Sequence, residues 1–480
     1  MKILVLGGGT AGLISGLILK KFLNAQVDVV YSKDIGIIGV GEGSTEHFKA
    51  FLKFMGIDKN ELIKKTNATY KAGTMFQDWT KKPYLHTVSN PFQNKISQYN
   101  YVYAKQISEK NKYIAQKYIW ENKIPIQYLA AYNEYPFNQF HFNTHMLNEF
   151  LTEYGKNIGI KFFEDTINNI VFKNSGEIDY LVGKKQNYHY DFYIDATGFK
   201  KLLIGKMGAE WVSFSKYLKM KSAIVFPTPD EEEYNLWTLA KAMDYGWRFK
   251  IPTWGRHGNG YIFDSDYITA DQAKEELDKE FGFDVEISKQ FNFDPGHLDK
   301  VWIKNCVAVG LSGSFVEPLE ATSIGTSIQQ SFLLMNRILN YTQKEIDLYN
   351  KEFTKIMENI RDFIFLHYVV KKNNSIFWKD VEKQNMPDSL CHSLDMWKHR
   401  LPIEEDFIGS KYFLFWDANF IVVMYGLEIL NEKSIMNEYK NCSNIAKNEA
   451  DILVSNEINF EKFEKTVSHK NFIKFIRENL

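Results

Sequence analysis

Ile3-Leu4-Val5-Leu6-Gly7-Gly8-Gly9-Thr10-Ala11-Gly12 is the stretch on which the reading of this chain turns. The first four residues form a short apolar run of the kind buried in a strand, and a glycine turn follows over 7–12. Over 11–24, apolar side chains at Leu13, Ile14, Leu17, Ile18 and Leu19 recur at helical spacing. Val27 to Tyr31 reads as the next strand. The turn fits G-x-G-x-x-G in the context that gives the pattern meaning. Gly7 permits the turn, Gly9 lets the backbone approach a pyrophosphate, and Gly12 lets helix and strand pack closely. Thr10 and Ala11 open the helix whose N-terminus faces the phosphates. The unit strand–turn–helix–strand opens a doubly wound α/β sheet of the Rossmann type. The acidic residue expected at the end of the second strand to hold ribose hydroxyls is Tyr31 here, with Ser32 and Asp34 as substitutes.

Outward from this unit, a helix is expected over Glu46 to Met55, ended by Gly56. Residues 74–140, rich in Tyr, Trp, Gln and Asn and poor in regular periods, read as an insertion lying over the sheet. Helix returns around His145 to Gly155, short strands follow near 160–173 and 178–195, and alternating strands between 208 and 303 suggest a substrate-facing sheet. After Ser323 the pattern is helical. The expected division is a nucleotide-binding part over 1–325 with inserted substrate-facing segments, and a mainly helical substrate-binding region over 326–480 packed on it.

Composition narrows the function. A chain of 480 residues with 45% hydrophobic and 15% aromatic content can bury a large core. Its formal net charge of -1 provides no basic field for nucleic acid or an anionic membrane surface. Cys306, Cys391 and Cys442 are odd in number and far apart, so neither a disulfide framework nor a Cys-x-x-Cys metal site is expected, and a reducing, cytoplasmic compartment fits. No eighteen-residue apolar run is present. His141 and His145 stand four apart, but no acidic residue nearby completes a metal-ligand set, so packing or capping is expected of them and no metal.

Two further segments point to a flavin. Asp195-Ala196-Thr197-Gly198 reads as a strand end where the chain passes close to a cofactor, which favours FAD over NAD. Val307 to Ser314 carries Gly310-Leu311 where flavin hydroxylases have Gly-Asp, and Leu311 disfavours a hydroxylase. Gly246-Trp247-Arg248-Phe249-Lys250-Ile251-Pro252 resembles the G-W-x-W-x-I-P signature of flavin-dependent halogenases of the tryptophan type, with Phe249 replacing the second Trp. The resemblance extends in the family's order over most of the chain. It includes Gly39-Val40-Gly41-Glu42-Gly43-Ser44-Thr45, Ala68-Thr69-Tyr70-Lys71-Ala72 followed by Trp79, and Phe315-Val316-Glu317-Pro318-Leu319-Glu320-Ala321-Thr322.

That resemblance implies a hydroxylase-like FAD-binding sheet and a halogenase that makes hypohalous acid at a flavin hydroperoxide. Lys71 takes up the acid, and an electron-rich aromatic small molecule is halogenated. It implies FAD as FADH2, O2 and a halide ion (chloride, bromide or iodide) as cofactors. A separate NAD(P)H flavin reductase would supply the reduced flavin, and a homo-oligomer is allowed. Glu320 matches the second active-site carboxylate, Thr322 and Ser323 the halide-binding amides, and Trp247, Phe249, Ile251 and Pro252 the barrier between flavin and substrate. Gly39, Val40, Gly41, Glu42, Asp195, Gly198, Gly310 and Leu311 join Gly7 to Gly12 as cofactor contacts. The family's tryptophan clamp is only partly matched, by His86 in Tyr84-Leu85-His86-Thr87 and by Trp416 and Asn419, so tryptophan itself is not implied. The alternatives are an NAD(P)H-using aromatic monooxygenase and a catalytically silent flavin-binding relative.

Overall fold

The computed structural model describes residues 1–33, 42–87, 117–126, 139–372, 374–460 and 465–480. Gly39, Val40, Gly41 and Asp34 therefore lie outside the described residues. The opening unit is Lys2–Leu6 (β1), Thr10–Phe22 (α1) and Gln26–Tyr31 (β2). Both strands join a six-stranded sheet in the order Trp302–Ile303, Cys306–Ala308, Phe192–Asp195, β1, β2, Lys161–Glu164. All neighbours in it are parallel except the outermost pair, Trp302–Ile303 with Cys306–Ala308. Ile3, Leu4, Val5, Val27, Val29 and Val30 are fully buried, as expected of strands covered on both faces.

A three-stranded sheet sets Glu42–Gly43 and Thr69–Lys71 (β3) on either side of Gln139–Phe142 (β4), which makes β3 an edge strand. Beside it lies a seven-stranded, mostly antiparallel sheet. Its members are Lys289–Asn292, Ser222–Pro229, Arg256–Phe263, Gly246–Thr253 (β5), Trp237–Met243, Gly73–Gln77 and Tyr84–Thr87, in that order. The reading of 74–140 as an insertion lying over the sheet is corrected here. Gly73–Gln77 pairs in parallel with Trp237–Met243 and is itself part of the sheet, with Tyr84–Thr87 at its edge. Pairing partners some 160 residues away leave no local period to read.

Thr322–Met335 (α2) and Gln343–His367 (α3) begin the helical half, and His469–Asn479 (α4) closes the chain. Residue 325 falls inside α2, which packs on α1 through Ser15 Oγ and Ser331 Oγ, 2.8 Å apart. The change from strands to helices thus occurs without a linker. No helix among the described residues is long and apolar enough to cross a membrane.

Candidate active site

The glycine turn has the shape its residue types demand. Gly7 has φ +122°, and a Cβ there would lie 2.2 Å from the Ala196 carbonyl oxygen; one at Gly12 would lie 2.3 Å from the Gly7 oxygen. A Cβ at Gly9 would meet nothing within 4 Å, so the turn opens to space at this position. Gly9 caps α1 without a side chain, and no acidic residue stands in the first turn. The first amides of α1 thus meet no side-chain cap, a cradle suited to a pyrophosphate. Gly310, with φ +58°, brings Leu311 in beside it, since a Cβ there would lie 2.4 Å from that of Ala11. Thr10 is committed elsewhere, its hydroxyl donating to Asn148 Oδ1 at 2.8 Å. Ser32 Oγ lies 3.4 Å from that of Thr166.

Asp195 differs from its expected role as a cofactor ligand. Its carboxylate accepts hydrogen bonds from the amides of Thr197, Leu203 and Ile204 and from the hydroxyls of Thr197 and Ser312. It fixes the loop that presents Gly198, whose φ is +68° and whose Cβ position is open. With its lone pairs engaged, Asp195 shapes the cradle without reaching into it.

A cavity of roughly 1100 Å³, including its open mouth, lies between Phe199 and Leu311, the neighbours of Gly198 and Gly310, and the seven-stranded sheet. Its walls include Leu311, Phe249, Ile251, Thr322 and Ser323, with Glu42 and Lys71 among them. The signature on β5 is explained by packing. A Cβ at Gly246 would lie 2.0 Å from the Ile262 carbonyl oxygen, and the Phe249 ring covers Gly260, where a Cβ would lie 2.5 Å from it. Strand alternation sets Trp247, Phe249 and Ile251 on one face. Pro252 is corrected as a barrier residue: it falls on the other face, and its carbonyl accepts the Thr69 hydroxyl at 2.6 Å.

Lys71 closes β3 and is only 1% exposed, far from the solvated lysine common in a Lys-rich chain. Its Nζ donates to the Ser44 carbonyl at 3.2 Å. Ser44 is itself locked to Phe140, by backbone N–H to carbonyl and by its Oγ accepting the Phe140 N–H, both at 2.9 Å. Burial lowers the Lys71 ammonium to about 8, with Glu320 acting in the opposite sense. Glu42 shares the cavity wall. Its Oε2 has no partner among the described residues, and burial raises the carboxyl to about 7.

Glu320, 2% exposed, lies at the centre of a buried polar cluster. His86 Nδ1 is 2.9 Å and His367 Nε2 3.2 Å from its Oε1, and Thr74 donates to Oε2 at 3.2 Å. Tyr84 OH lies 3.1 Å from His367 Nδ1, and Asn419 Nδ2 lies 3.2 Å from His86 Nε2. Tyr84 OH and Asn419 Nδ2 thus meet the outer ring nitrogens, which leaves His86 Nδ1 turned to the carboxylate and His367 Nε2 within ion-pair distance of it. Burial alone would raise the Glu320 carboxyl, but His86 and His367 override it and hold it well below the usual carboxylate range. The next residue, Ala321, has φ +54°, a strained left-handed conformation that starts α2. Thr322 and Ser323 then place uncapped first-turn amides at the cavity, the donor set a small anion needs.

The structure thus unites Lys71, Glu42, Thr322, Ser323, Phe249 and Leu311 around one cavity and places Glu320 behind Thr74. His86 is corrected from substrate contact to carboxylate partner: it is fully buried and both ring nitrogens are engaged. Asn419 supports it and also accepts the Trp416 N–H at 2.8 Å. Trp416 is half-buried, its ring packed on Phe407 and Phe413. His141 is a buried strand residue bonded to Thr238, and His145 an exposed residue in the first turn of the helix Thr144–Asn157. No cluster of metal-ligating side chains occurs among the described residues. Sequence reasoning missed His367, Tyr84 and Thr74. Thr74 stands three residues from Lys71, but nothing near His367 signals a contact 47 residues upstream.

Comparison with known proteins places this geometry in a family. The model described as tryptophan halogenase matches residues 2–440. Tryptophan 6-halogenase SttH of Streptomyces toxytricini is 29% identical over 458 residues, covering 84% of this chain and 85% of that protein. Tar14, a tryptophan C-6 flavin-dependent halogenase (chlorinase) from taromycin biosynthesis, superposes with a TM-score of 0.82 at 25% identity, covering 99% of each chain. A tryptophan halogenase from Shewanella frigidimarina shares the fold with a TM-score of 0.87 at 24% identity, covering 100% of this chain and 98% of its own.

Proposed function

This chain belongs to the tryptophan halogenase family of flavin-dependent oxidoreductases, and from that premise we propose that it halogenates an electron-rich aromatic small molecule by way of Lys71. Reduced FAD, held by the turn Gly7 to Gly12 with Gly198, Gly310 and Leu311, would supply hypohalous acid from O2 and a halide ion. A separate NAD(P)H-dependent flavin reductase would deliver the reduced FAD. The amides of Thr322 and Ser323 hold the halide at the cavity wall. Trp247 and Phe249 form an apolar screen that keeps the aromatic substrate from the flavin side. Lys71 then receives the hypohalous acid as hydrogen-bond donor or, with its lowered proton affinity, as nucleophilic amine. Glu320, kept ionised by its two imidazoles, stabilises the cationic arene and accepts the proton it sheds.

The observation that carries this reading is Lys71, a buried ammonium on the wall of the cavity that Leu311, Thr322 and Ser323 also line. The screen and the lysine have no use in a hydroxylase, and their presence argues against a silent relative. Because His86 is bonded to Glu320 and Trp416 is packed on Phe407 and Phe413, a preformed clamp for free tryptophan has little support, and a phenol or simple heteroarene is the better candidate. The test supplies the protein with FAD, a flavin reductase and NADH, and screens arenes with chloride, bromide and iodide by mass spectrometry. Halogenated product dependent on the reductase is expected, with free L-tryptophan among the poorer substrates. Fast flavin bleaching by NADPH alone, without halogenated product, would refute the proposal.

A further inference from the structure

The match to the family ends at residue 440, yet the chain returns after it to the strand that carries Lys71. Among the described residues β3 has a strand partner on one side only. Thr69 and Lys71 face β4, and as edge residues Tyr70 and Ala72 point their amides away from it. Two buried outward amides with no strand to receive them would each need an acceptor. Ala72 N–H finds the Leu236 carbonyl at 2.6 Å. Tyr70 N–H is directed at His469 Nε2, 3.2 Å away. His469 is fully buried at the start of α4, and its Nδ1 lies 3.1 Å from the Asn235 carbonyl. The neutral imidazole thus donates to the residue before Leu236 and accepts from the residue before Lys71, doing the work of a missing strand.

The rest of α4 is anchored around this contact. Phe472 and Phe140 flank the Tyr70 ring with centroids 5.9 and 5.4 Å from it. Ser468 caps the helix through Asn471, and Arg477 donates to the carbonyls of Ile63 and Lys64. Thr466–Ser468 pairs with Lys123–Pro125. The geometry points to His469 as a positioning residue for Lys71: the carboxyl-terminal segment 465–480 fixes the edge of β3 and so the direction of the lysine in the cavity. This rests on the proposed role of Lys71, and deepens it.

The test compares three full-length variants. His469→Phe keeps a ring but no acceptor, His469→Gln returns an amide oxygen near the Nε2 position, and Phe472→Leu loosens the same helix without touching the Tyr70 amide. Product formed per reduced flavin consumed is measured with the reductase. Acetylation of Lys71 by acetic anhydride, followed by peptide mass spectrometry, needs no halogenation. In His469→Phe the product ratio should fall about tenfold or more through kcat with KM for the arene little changed, while reduced-flavin oxidation stays within about twofold. Lys71 acetylation should change by about threefold or more, and His469→Gln should restore both readouts to within about threefold of the parent. Phe472→Leu, which loosens the packing on Tyr70 but keeps the acceptor for its amide, should lower the melting temperature and reduce the ratio by no more than about threefold. Should His469→Phe not fold, His469→Asn, whose amide is too short to reach Tyr70, takes its place with the same expectations. A parent-like ratio and acetylation rate in a folded His469→Phe or His469→Asn protein would overturn the proposal. A parent enzyme that halogenates nothing would instead refute the proposed function, and the acetylation arm would still decide the role of His469.

Discussion

Around Gly9 the chain offers a ligand backbone, whereas around Lys71 it offers buried charge. The nucleotide turn is made of positions where a side chain has no room, Gly7 and Gly12, alternating with one where there is room to spare, Gly9. Recognition there would depend on shape and on helix amides, both built from sequence-local residues. The proposed transfer site places an ammonium, a carboxylate and two imidazoles, each at most 2% exposed, on β3, on the loop before α2, at the edge of the seven-stranded sheet and on α3. Such groups destabilise the fold unless they are held, and what holds them is nonlocal: Ser44, Thr74, Tyr84 and Asn419. The first region can be lost by adding a methyl group; the second should gain stability when the Lys71 charge is removed.

That contrast is sharpened first at the turn, where the largest effect is expected. Gly12→Val drives side-chain atoms into the Gly7 carbonyl and Ala196 and should reduce FAD affinity by about a hundredfold or more, with a loss of stability of several kcal/mol. Gly9→Ala, with nothing of the protein to strike, should keep the parent's melting temperature while weakening FAD binding, both followed by fluorescence titration and calorimetry. Equal effects of the two substitutions would break the distinction between packing glycine and approach glycine.

Glu320→Gln is expected to lower halogenation by about ten- to a hundredfold, since the amide neither stabilises the arene cation as a carboxylate does nor accepts its proton. FAD affinity should stay unchanged, because Glu320 is walled off from the nucleotide turn. A matching loss of FAD binding would show that the two regions are not separate.

The effect on stability carries a defined sign. A lysine whose ammonium is lowered to about 8 from 10.5 disfavours folding wherever the unfolded chain would hold the proton. Removing it should therefore stabilise the protein, by ~3 kcal/mol at pH 7 on the scale of 1.36 kcal/mol per pKa unit. Below pH 8 both states are protonated and the full cost applies; between pH 8 and 10.5 the folded state sheds its proton first and the cost declines. Lys71→Met should accordingly melt higher than the parent at pH 7, with the gap narrowing toward pH 10. A lower melting temperature at pH 7 would show that the ammonium is better satisfied than its single Ser44 contact indicates.

The two regions were also unequally legible. G-x-G-x-x-G between an apolar run and a helical period is local, and β1, α1 and β2 appear within two residues of where that pattern places them. The Gly246 to Pro252 signature proved legible for a packing reason, since both its first glycine and its second aromatic are dictated by the neighbouring strand. Lys71 and Glu320 could be found by resemblance, but nothing in composition or spacing marks Lys71 as buried. The Glu320 partners come from positions 74, 86 and 367, whose meeting depends on the seven-stranded sheet and on α3. The misreading of 74–140 has the same origin, because Gly73–Gln77 owes its strand to Trp237–Met243. Asp195 and Pro252 show the converse, a correct motif whose individual side chains serve the loop or the opposite face.

Lys71 is proposed to carry the halogen between the flavin cavity and the arene. The most direct measurement of this role is the ratio of halogenated product to reduced flavin consumed in Lys71→Met, with FAD binding and folding checked in the same preparation. The account predicts unchanged flavin oxidation and a ratio lowered by about three orders of magnitude, the scale seen when one member of a catalytic unit is removed. A folded, FAD-bound Lys71→Met protein that keeps the parent's ratio would contradict it.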